Sequence, residues 1–113
     1  MHELSIVMSI VDLAEKQVRQ AGASQVESIE LEIGELAGIE MQALDFAWSS
    51  AVRHTVLEKA ERIILSVNGK ARCLECEREY DMHTLYEQCP HCQSFFSDIL
   101  QGKELRVKAL VVE

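Results

Sequence analysis

Four cysteines, Cys73, Cys76, Cys89 and Cys92, form two C-x2-C pairs separated by twelve residues. Two residues between a pair of ligands allow one tight turn to aim both sulfurs at one ion, while backbone N–H groups of the turn hydrogen-bond the thiolates. This spacing predicts a tetrahedral Zn(II) site, although iron would suit the same four sulfurs. Because four thiolates leave no open coordination position, we expect the site to be structural and not catalytic.

Two other interpretations of the cysteines are weaker. Disulfides form in oxidising compartments, but Glu3 places a carboxylate where an export signal carries positive charge. A thioredoxin-like redox motif needs one C-x2-C pair on a βαβ frame, whereas this chain has two pairs close together. We therefore expect reduced, metal-binding cysteines in a cytoplasmic protein.

A second candidate metal site lies at the start of the chain, in Met1, His2 and Glu3. His2 is too bulky for ready removal of the initiator methionine, so we expect a free α-amine on Met1. That amine, the deprotonated backbone nitrogen of His2 and its ring nitrogen would hold one ion in two fused chelate rings. Such nitrogen-rich, roughly planar coordination favours Ni(II) or Cu(II) over Zn(II) or Mg(II), and Glu3 is a neighbouring donor. By itself, a histidine at this position is also consistent with an exposed side chain without function.

Other potential ligands have simpler explanations. His54, His83 and His91 are most simply surface residues, with His91 beside the cysteine site. Glu40 could approach the N-terminus as an oxygen donor, but a carboxylate in the first turn of a helix, favoured by the helix dipole, is the simpler role. Whether Glu40, His83 or His91 contributes a ligand stays open at the level of sequence.

Hydrophobic periodicity predicts the elements that position these sites. The first helix has an apolar stripe of Leu4, Val7, Met8, Val11, Ala14 and Val18. Ile29, Leu31 and Ile33 alternate with glutamates, which is typical of a half-buried strand. In order, the predicted elements are a helix from Leu4 to about Ala21, a strand at 26–33, a helix from about Glu40 to Val52, a strand at 62–67 and a strand at 105–111.

These elements predict an α+β fold, in which two helices pack on a small three-stranded sheet with an inserted zinc-ribbon-like module. We expect an α/β domain formed by residues 1–69 plus 101–113, and a four-cysteine zinc domain at 70–100. The last two strands flank the cysteine region, so we expect them to be neighbours in the sheet.

Composition and charge restrict the classes of partner. Of the 113 residues, 48% are hydrophobic and 27% charged, which is the balance of a folded globular protein. No stretch approaches the roughly 18 consecutive apolar residues of a membrane span. The net charge of −8 disfavours nucleic acids and anionic lipid surfaces, both of which attract basic proteins. A cation or a basic face of another protein fits better.

Several motifs resemble one known family over the whole chain. They are Met-His-Glu-Leu-Ser-Ile at the start, Leu-Glu-Ile-Gly-Glu-Leu-Ala-Gly-Ile-Glu at 31–40, Phe46-Ala47-Trp48, and the two cysteine pairs, the second as Cys89-Pro90-His91-Cys92. In this combination the chain resembles the HypA/HybF family of hydrogenase maturation nickel metallochaperones. The resemblance implies a non-enzymatic protein with a nickel-binding domain and a structural zinc domain. It also implies delivery of Ni(II) to nickel–iron hydrogenase and, in some organisms, to urease.

The resemblance also implies roles for residues and partners. His2 is implied as the principal nickel ligand, Glu3 as its neighbour in the site, and the four cysteines as zinc ligands. The implied partners are the nickel-binding GTPase HypB and the hydrogenase large subunit, and a homodimer stays open. One departure is Arg53-His54-Thr55, where the family pattern has a glycine before the threonine. The alternative function is a zinc-ribbon adaptor that only bridges proteins, with His2 incidental.

Overall fold

The computed structural model describes residues 2–113 and contains two helices and six strands in that range. In chain order they are α1 (His2–Ala21), β1 (Val26–Gly34), α2 (Met41–Ala51), β2 (Glu61–Val67), β3 (Lys70–Cys73), β4 (Glu79–Asp81), β5 (Ser97–Gln101) and β6 (Leu105–Val112). The strands form two three-stranded sheets, ordered β2-β1-β6 and β4-β3-β5. The predicted α+β fold, with two helices, a small three-stranded sheet and an inserted cysteine module, is confirmed. Within residues 2–113, none of the helices combines the length and the apolar character needed to cross a membrane.

The two strands that flank the cysteine module are not neighbours, so that part of the prediction is wrong. The sheet order places β1 between β2 and β6. The reason lies in burial: β1 buries Val26, Ile29, Leu31 and Ile33, whereas β2 and β6 contain only half-buried and exposed residues. The most buried strand therefore occupies the centre, where both of its edges are covered.

The chain divides into two compact units. Residues 2–31, 39–64 and 107–113 form one unit with both helices, called here the helical unit. Residues 32–38 and 65–106 form the other, called here the cysteine unit because it contains all four cysteines. The division into a nickel-binding domain and a zinc domain at the sequence-derived boundaries stays a prediction.

In the helical unit, each of the two helices buries one stripe of side chains. The buried residues of α1 are Val7, Ala14 and Val18, apart from Glu3, and α2 buries Leu44, Ala47 and Trp48. This is the spacing by which a helix directs one face into a core.

Leu4 and Met8, which the periodicity predicts in the core stripe, are instead 42% and 55% exposed. They line an open groove of about 360 Å³ together with Ala51. The buried face of α1 is centred on Val7, Ala14 and Val18. With about 3.6 residues per helical turn, Leu4 and Met8 are turned to one side of that face, which leaves them exposed.

The turn after α2 explains the departure at Arg53-His54-Thr55. His54 has φ +62°, in the left-handed region that glycine adopts without the steric cost of a Cβ. Its backbone N–H donates to Glu58 Oε2 at 3.1 Å, which fixes the turn. This chain thus keeps a glycine-type backbone conformation with a histidine in place of the glycine.

Replacing His54 by glycine is expected to raise the free energy of unfolding by about 0.5–1 kcal/mol. A residue with a Cβ costs roughly 1–2 kcal/mol in the left-handed backbone conformation, and glycine does not have this cost. Glycine loses more chain entropy on folding, which offsets part of the gain. Urea denaturation followed by circular dichroism measures the change. The matched control is His54→Ala, which retains a Cβ and should bring no gain. An unfolding free energy for His54→Gly at or below that of wild type would contradict the explanation.

Candidate metal centres

The four cysteines converge in the cysteine unit. Their sulfur atoms all lie within 4.8 Å of one another, with Cys73 and Cys92 Sγ 3.5 Å apart and Cys76 and Cys89 Sγ 3.7 Å apart. A tetrahedral ion with metal–sulfur bonds of about 2.3 Å needs sulfur–sulfur edges of about 3.8 Å, so the spacing fits such an ion. All four residues are free thiols. The cluster could therefore hold one metal ion.

The two C-x2-C turns have the same backbone geometry. The residues that follow the pairs, Glu77 and Gln93, have φ +63° and +62°. Their N–H groups donate to the carbonyl oxygens of Cys73 and Cys89 at 3.0 and 2.8 Å. The N–H of His91 donates to Cys89 Sγ at 3.4 Å, as predicted for a turn that stabilises thiolates. The two turns thus present their sulfurs in equivalent ways.

Backbone donors and crowding give the thiols different acidities. The N–H groups of Cys76 and Glu75 lower the pKa of Cys73 to about 6. For Cys92 the N–H of Ser94 favours the thiolate and so acts to lower the pKa. The neighbouring sulfurs, of which Cys73 has the largest effect, and burial act in the opposite direction and raise the pKa of Cys92 to about 12. Four adjacent sulfurs therefore do not all ionise without a cation between them. Metal binding at this cluster should release protons and weaken as pH falls.

The core of the cysteine unit is small and includes the sulfur ligands. Its buried cluster consists of Leu36, Ala71, Cys73, Tyr80, Met82 and Cys89, with Cys76 and Ile99 packed against it. Three of these eight residues are cysteines of the candidate metal centre. Ligand geometry and core packing in this unit therefore depend on the same side chains.

The second candidate site lies at the start of α1. Of its three predicted ligands, Met1 lies outside the described residues. His2 Nε2 is 3.3 Å from Glu3 Oε2, and the side chain of His2 is 58% exposed whereas that of Glu3 is buried. The backbone N–H of Glu40 donates to Glu3 Oε2 at 3.2 Å, which lowers the pKa of Glu3. The structure therefore places the His2 ring beside a carboxylate that is already fixed and ionised.

Glu40 is the N-cap of α2. Its carboxylate accepts hydrogen bonds from the backbone N–H groups of Ala43 at 2.7 Å and Gln42 at 3.3 Å. This is a helix-capping role of the kind that the sequence favoured. The same residue thus starts α2 with its side chain and holds Glu3 with its main chain, which brings the beginnings of the two helices together.

His83 belongs to a network within the cysteine unit. Its Nδ1 lies 2.9 Å from Glu35 Oε2, and its backbone N–H donates to Glu87 Oε2 at 2.7 Å. Glu35 also accepts from the N–H of Gly69 at 2.8 Å. Sequence reasoning did not single out Glu35, which lies 48 positions from His83, because no local spacing signals so distant a partner. It also missed Glu87, although that residue lies only four positions from His83. Nδ1 of His91 lies 3.2 Å from Arg78 Nη1.

The His83–Glu35 pair is expected to stabilise the protein in a defined pH window. The Glu35 carboxylate raises the pKa of His83, while the Gly69 N–H and then His83 lower the pKa of Glu35. A histidine whose pKa is raised by folding stabilises the protein at low pH, and this stability is lost as pH rises through the pKa of the folded state. A glutamate whose pKa is lowered by folding stabilises the protein at higher pH, and this stability is lost as pH falls through the pKa of the folded state. The pair therefore contributes most between about pH 4.5 and 6.5, the ordinary pKa values of the two groups.

His83→Gln should consequently lower the melting temperature more at pH 6 than at pH 8, relative to wild type at the same pH. Thermal unfolding of the metal-loaded proteins measures this difference. Glu35→Gln should show the same pH profile, and His54→Gln, which lies in the helical unit, should show none. An equal loss at both pH values for His83→Gln would contradict the ion-pair explanation.

Comparisons with known proteins identify relatives over the full chain. A family model described as hydrogenase/urease nickel incorporation, metallochaperone, hypA, matches residues 1–112. The hydrogenase maturation factor HypA of Parabacteroides distasonis is 50% identical over 113 residues, which cover 100% of this chain and 98% of that protein. The HypA of Chlorobaculum parvum is 38% identical, with 100% of both chains covered. The solution structure of the Ni metallochaperone HypA from Helicobacter pylori superposes with a TM-score of 0.68 at 26% identity, covering 99% of this chain and 97% of that one.

Proposed function

Because the chain belongs to the HypA family of hydrogenase/urease nickel incorporation metallochaperones, we propose that it binds Ni(II) at its first residues and delivers it to a nickel enzyme. The family assignment that the motifs suggested is confirmed, and with it the classification as a metallochaperone and not an enzyme. The position of the nickel site, the identity of the second metal and the partners are our proposals.

His2 is the principal nickel ligand in this proposal, with the Met1 amine and Glu3 beside it. The observation that carries it is the position of the His2 ring, exposed and 3.3 Å from the Glu3 carboxylate. Glu3 is held by the main chain of Glu40, so a negative charge stays close to the ring. A nitrogen donor next to a fixed carboxylate suits a divalent cation that prefers nitrogen ligands.

A site at the start of a chain also suits a carrier. Terminal residues move at small cost, so the ion can be released to an acceptor without unfolding the domain. A metal ion binds the neutral imidazole of histidine, so nickel affinity should fall as the solution is made more acidic.

The cysteine cluster has a different role in this proposal, as a structural Zn(II) site. Cys73, Cys76, Cys89 and Cys92 supply four sulfurs with edges near those of a tetrahedral zinc complex. Four thiolate ligands leave no position for a transferable or catalytic ligand, so this ion would stabilise the fold. We place the zinc domain at 70–100 and the nickel-binding domain at 1–69 plus 101–113.

The partners follow from the family and not from the geometry. We propose transfer with the nickel-binding GTPase HypB to the large subunit of nickel–iron hydrogenase, in the cytoplasm, with urease as a second client. The alternative function, a zinc-ribbon adaptor, differs in one measurable property: it has no specific nickel site.

Titration of zinc-loaded, full-length protein with Ni(II) by calorimetry separates the two functions. Wild type should bind one nickel ion, and His2→Ala should weaken binding by at least about 100-fold, since loss of even an outer partner of a metal site costs about 10–100-fold. His54→Ala is the matched control, because it removes a histidine elsewhere in the helical unit. Absence of nickel binding by wild type would favour the adaptor, and equal affinity of His2→Ala would show that other residues hold the nickel ion.

A further inference from the structure

The cysteine unit has an edge strand with apolar side chains on its outer face. β5 is the last strand of the sheet β4-β3-β5 and pairs with β3 alone among the described strands. Phe96, immediately before β5, is 66% exposed, and Leu100 within it is 49% exposed. Ile99 points the other way and packs against the core. Phe96 and Asp98 therefore share the outer face, as every second residue of a strand does. Leu100 is the extra residue of an irregularity in the pairing of β5 with β3, and its exposed side chain lies next to this face.

Neighbouring residues extend this apolar surface. The N–H of Leu74 donates to the carbonyl oxygen of Phe96 at 2.9 Å, and Leu74 and Phe95 are exposed as well. Of the six aromatic residues in the chain, only Trp48 and Tyr80 are buried. A cluster of large exposed apolar side chains beside an unpaired strand edge is typical of an interaction surface.

The charge in the middle of the strand indicates which partner fits. Asp98 lies between Phe96 and Leu100 and is exposed. Arg72 of β3 lies opposite it, and the guanidinium of Arg72 pairs with Glu77 at 3.1 Å. If two copies paired antiparallel about this position, two Asp98 carboxylates would face each other, and like charges directly opposite are destabilising. The net charge of −8 adds to the repulsion between copies. A strand with lysine or arginine opposite Asp98 would instead form an attractive cross-strand pair.

We propose that β5 accepts an extended segment of another protein as an added strand of this sheet. The segment would place apolar side chains opposite Phe96 and Leu100 and a basic side chain opposite Asp98. Main-chain hydrogen bonds along the free edge would supply affinity, and the alternating side chains would supply specificity. This surface is separate from the proposed nickel ligands, so the proposal does not depend on them.

The test uses zinc-loaded, full-length, ¹⁵N-labelled protein and a synthetic peptide. The probe is the amidated peptide Thr-Val-Thr-Lys-Thr-Val-Thr, and its matched control has aspartate in place of the lysine. The lysine peptide should shift the amide resonances of residues 97–101 and bind about fivefold more tightly than the aspartate peptide, which is the upper range for one cross-strand charge pair.

Charge reversal in the protein completes the test. Asp98→Lys should invert the preference, so that the aspartate peptide binds more tightly. Glu79→Lys is the matched control, because it makes the same charge change on β4, the opposite edge of the sheet, and should leave the preference unchanged. Lack of peptide-induced shifts at 97–101, or an unaltered preference in Asp98→Lys, would overturn the proposal. Shifts at 97–101 that appear merely on concentrating the protein would overturn it too, since they would identify a second copy as the occupant.

Discussion

Replacement of Cys73 by serine is expected to unfold most of the cysteine unit while α1 and α2 stay folded. Cys73 is fully buried and belongs both to the sulfur cluster and to the core of the unit. Structural zinc contributes apparent binding free energies of roughly 10–16 kcal/mol in zinc-finger peptides, far more than a core of this size provides. The helical unit has separate buried residues on both helices and does not need the ion.

The ¹H–¹⁵N correlation spectrum and the zinc content of the purified protein measure this effect. Amide dispersion should be lost for about residues 70–99 and retained for α1, and zinc should fall from one ion per chain to near zero. Ser94→Ala is the control, since it removes a buried hydroxyl beside the cluster without touching a sulfur. A reduced Cys73→Ser protein that keeps the native spectrum at 70–99 would contradict a metal-dependent fold.

Extension of the chain by Gly-Ser ahead of Met1 is expected to abolish nickel delivery. Every side chain stays present, but the amine moves away from His2, so the fused chelate rings cannot close in the same way. Nickel affinity should fall by about 100-fold or more, because loss of only a supporting group beside a metal site already lowers affinity by about 10–100-fold. Hydrogenase activity in cells that depend on this protein should fall to the level of cells without it.

The same dipeptide added after Glu113 is the control, because it changes length and composition equally and leaves the N-terminus as it is. Zinc content and fold should be unchanged in both extended proteins. If the N-terminally extended protein binds nickel as tightly as wild type, the terminal chelate is wrong. His83 and His91 would then be the next candidate ligands.

Local patterns predicted most of the elements because they depend on near neighbours in the chain. The alternation of Ile29, Leu31 and Ile33 predicted β1, and the helical period predicted α1. The C-x2-C spacing predicted the convergence of sulfurs, because each tight turn aims two of them by itself. The element boundaries differ from the prediction by one or two residues.

The differences arise where the outcome depends on distant parts of the chain. Periodicity showed that Leu4 and Met8 lie on an apolar stripe, but not that the buried face of α1 is centred on Val7, Ala14 and Val18, to one side of them. The central position of β1 depends on a comparison of burial among three strands. The link between Glu3 and Glu40 spans 37 positions, and no spacing rule connects a helix start to a distant cap.

The central claim is that the protein has two metal sites with separate purposes. X-ray absorption at the nickel and zinc K-edges, measured on protein loaded with one ion of each metal, tests this claim most directly. Nitrogen ligands at the N-terminus and sulfur ligands at the cluster scatter differently, so the spectrum identifies which donors hold nickel. The account predicts a nickel shell of nitrogen and oxygen with imidazole scattering from His2, and zinc surrounded by sulfur. A nickel–sulfur shell would contradict it, because nickel would then occupy the cysteine cluster.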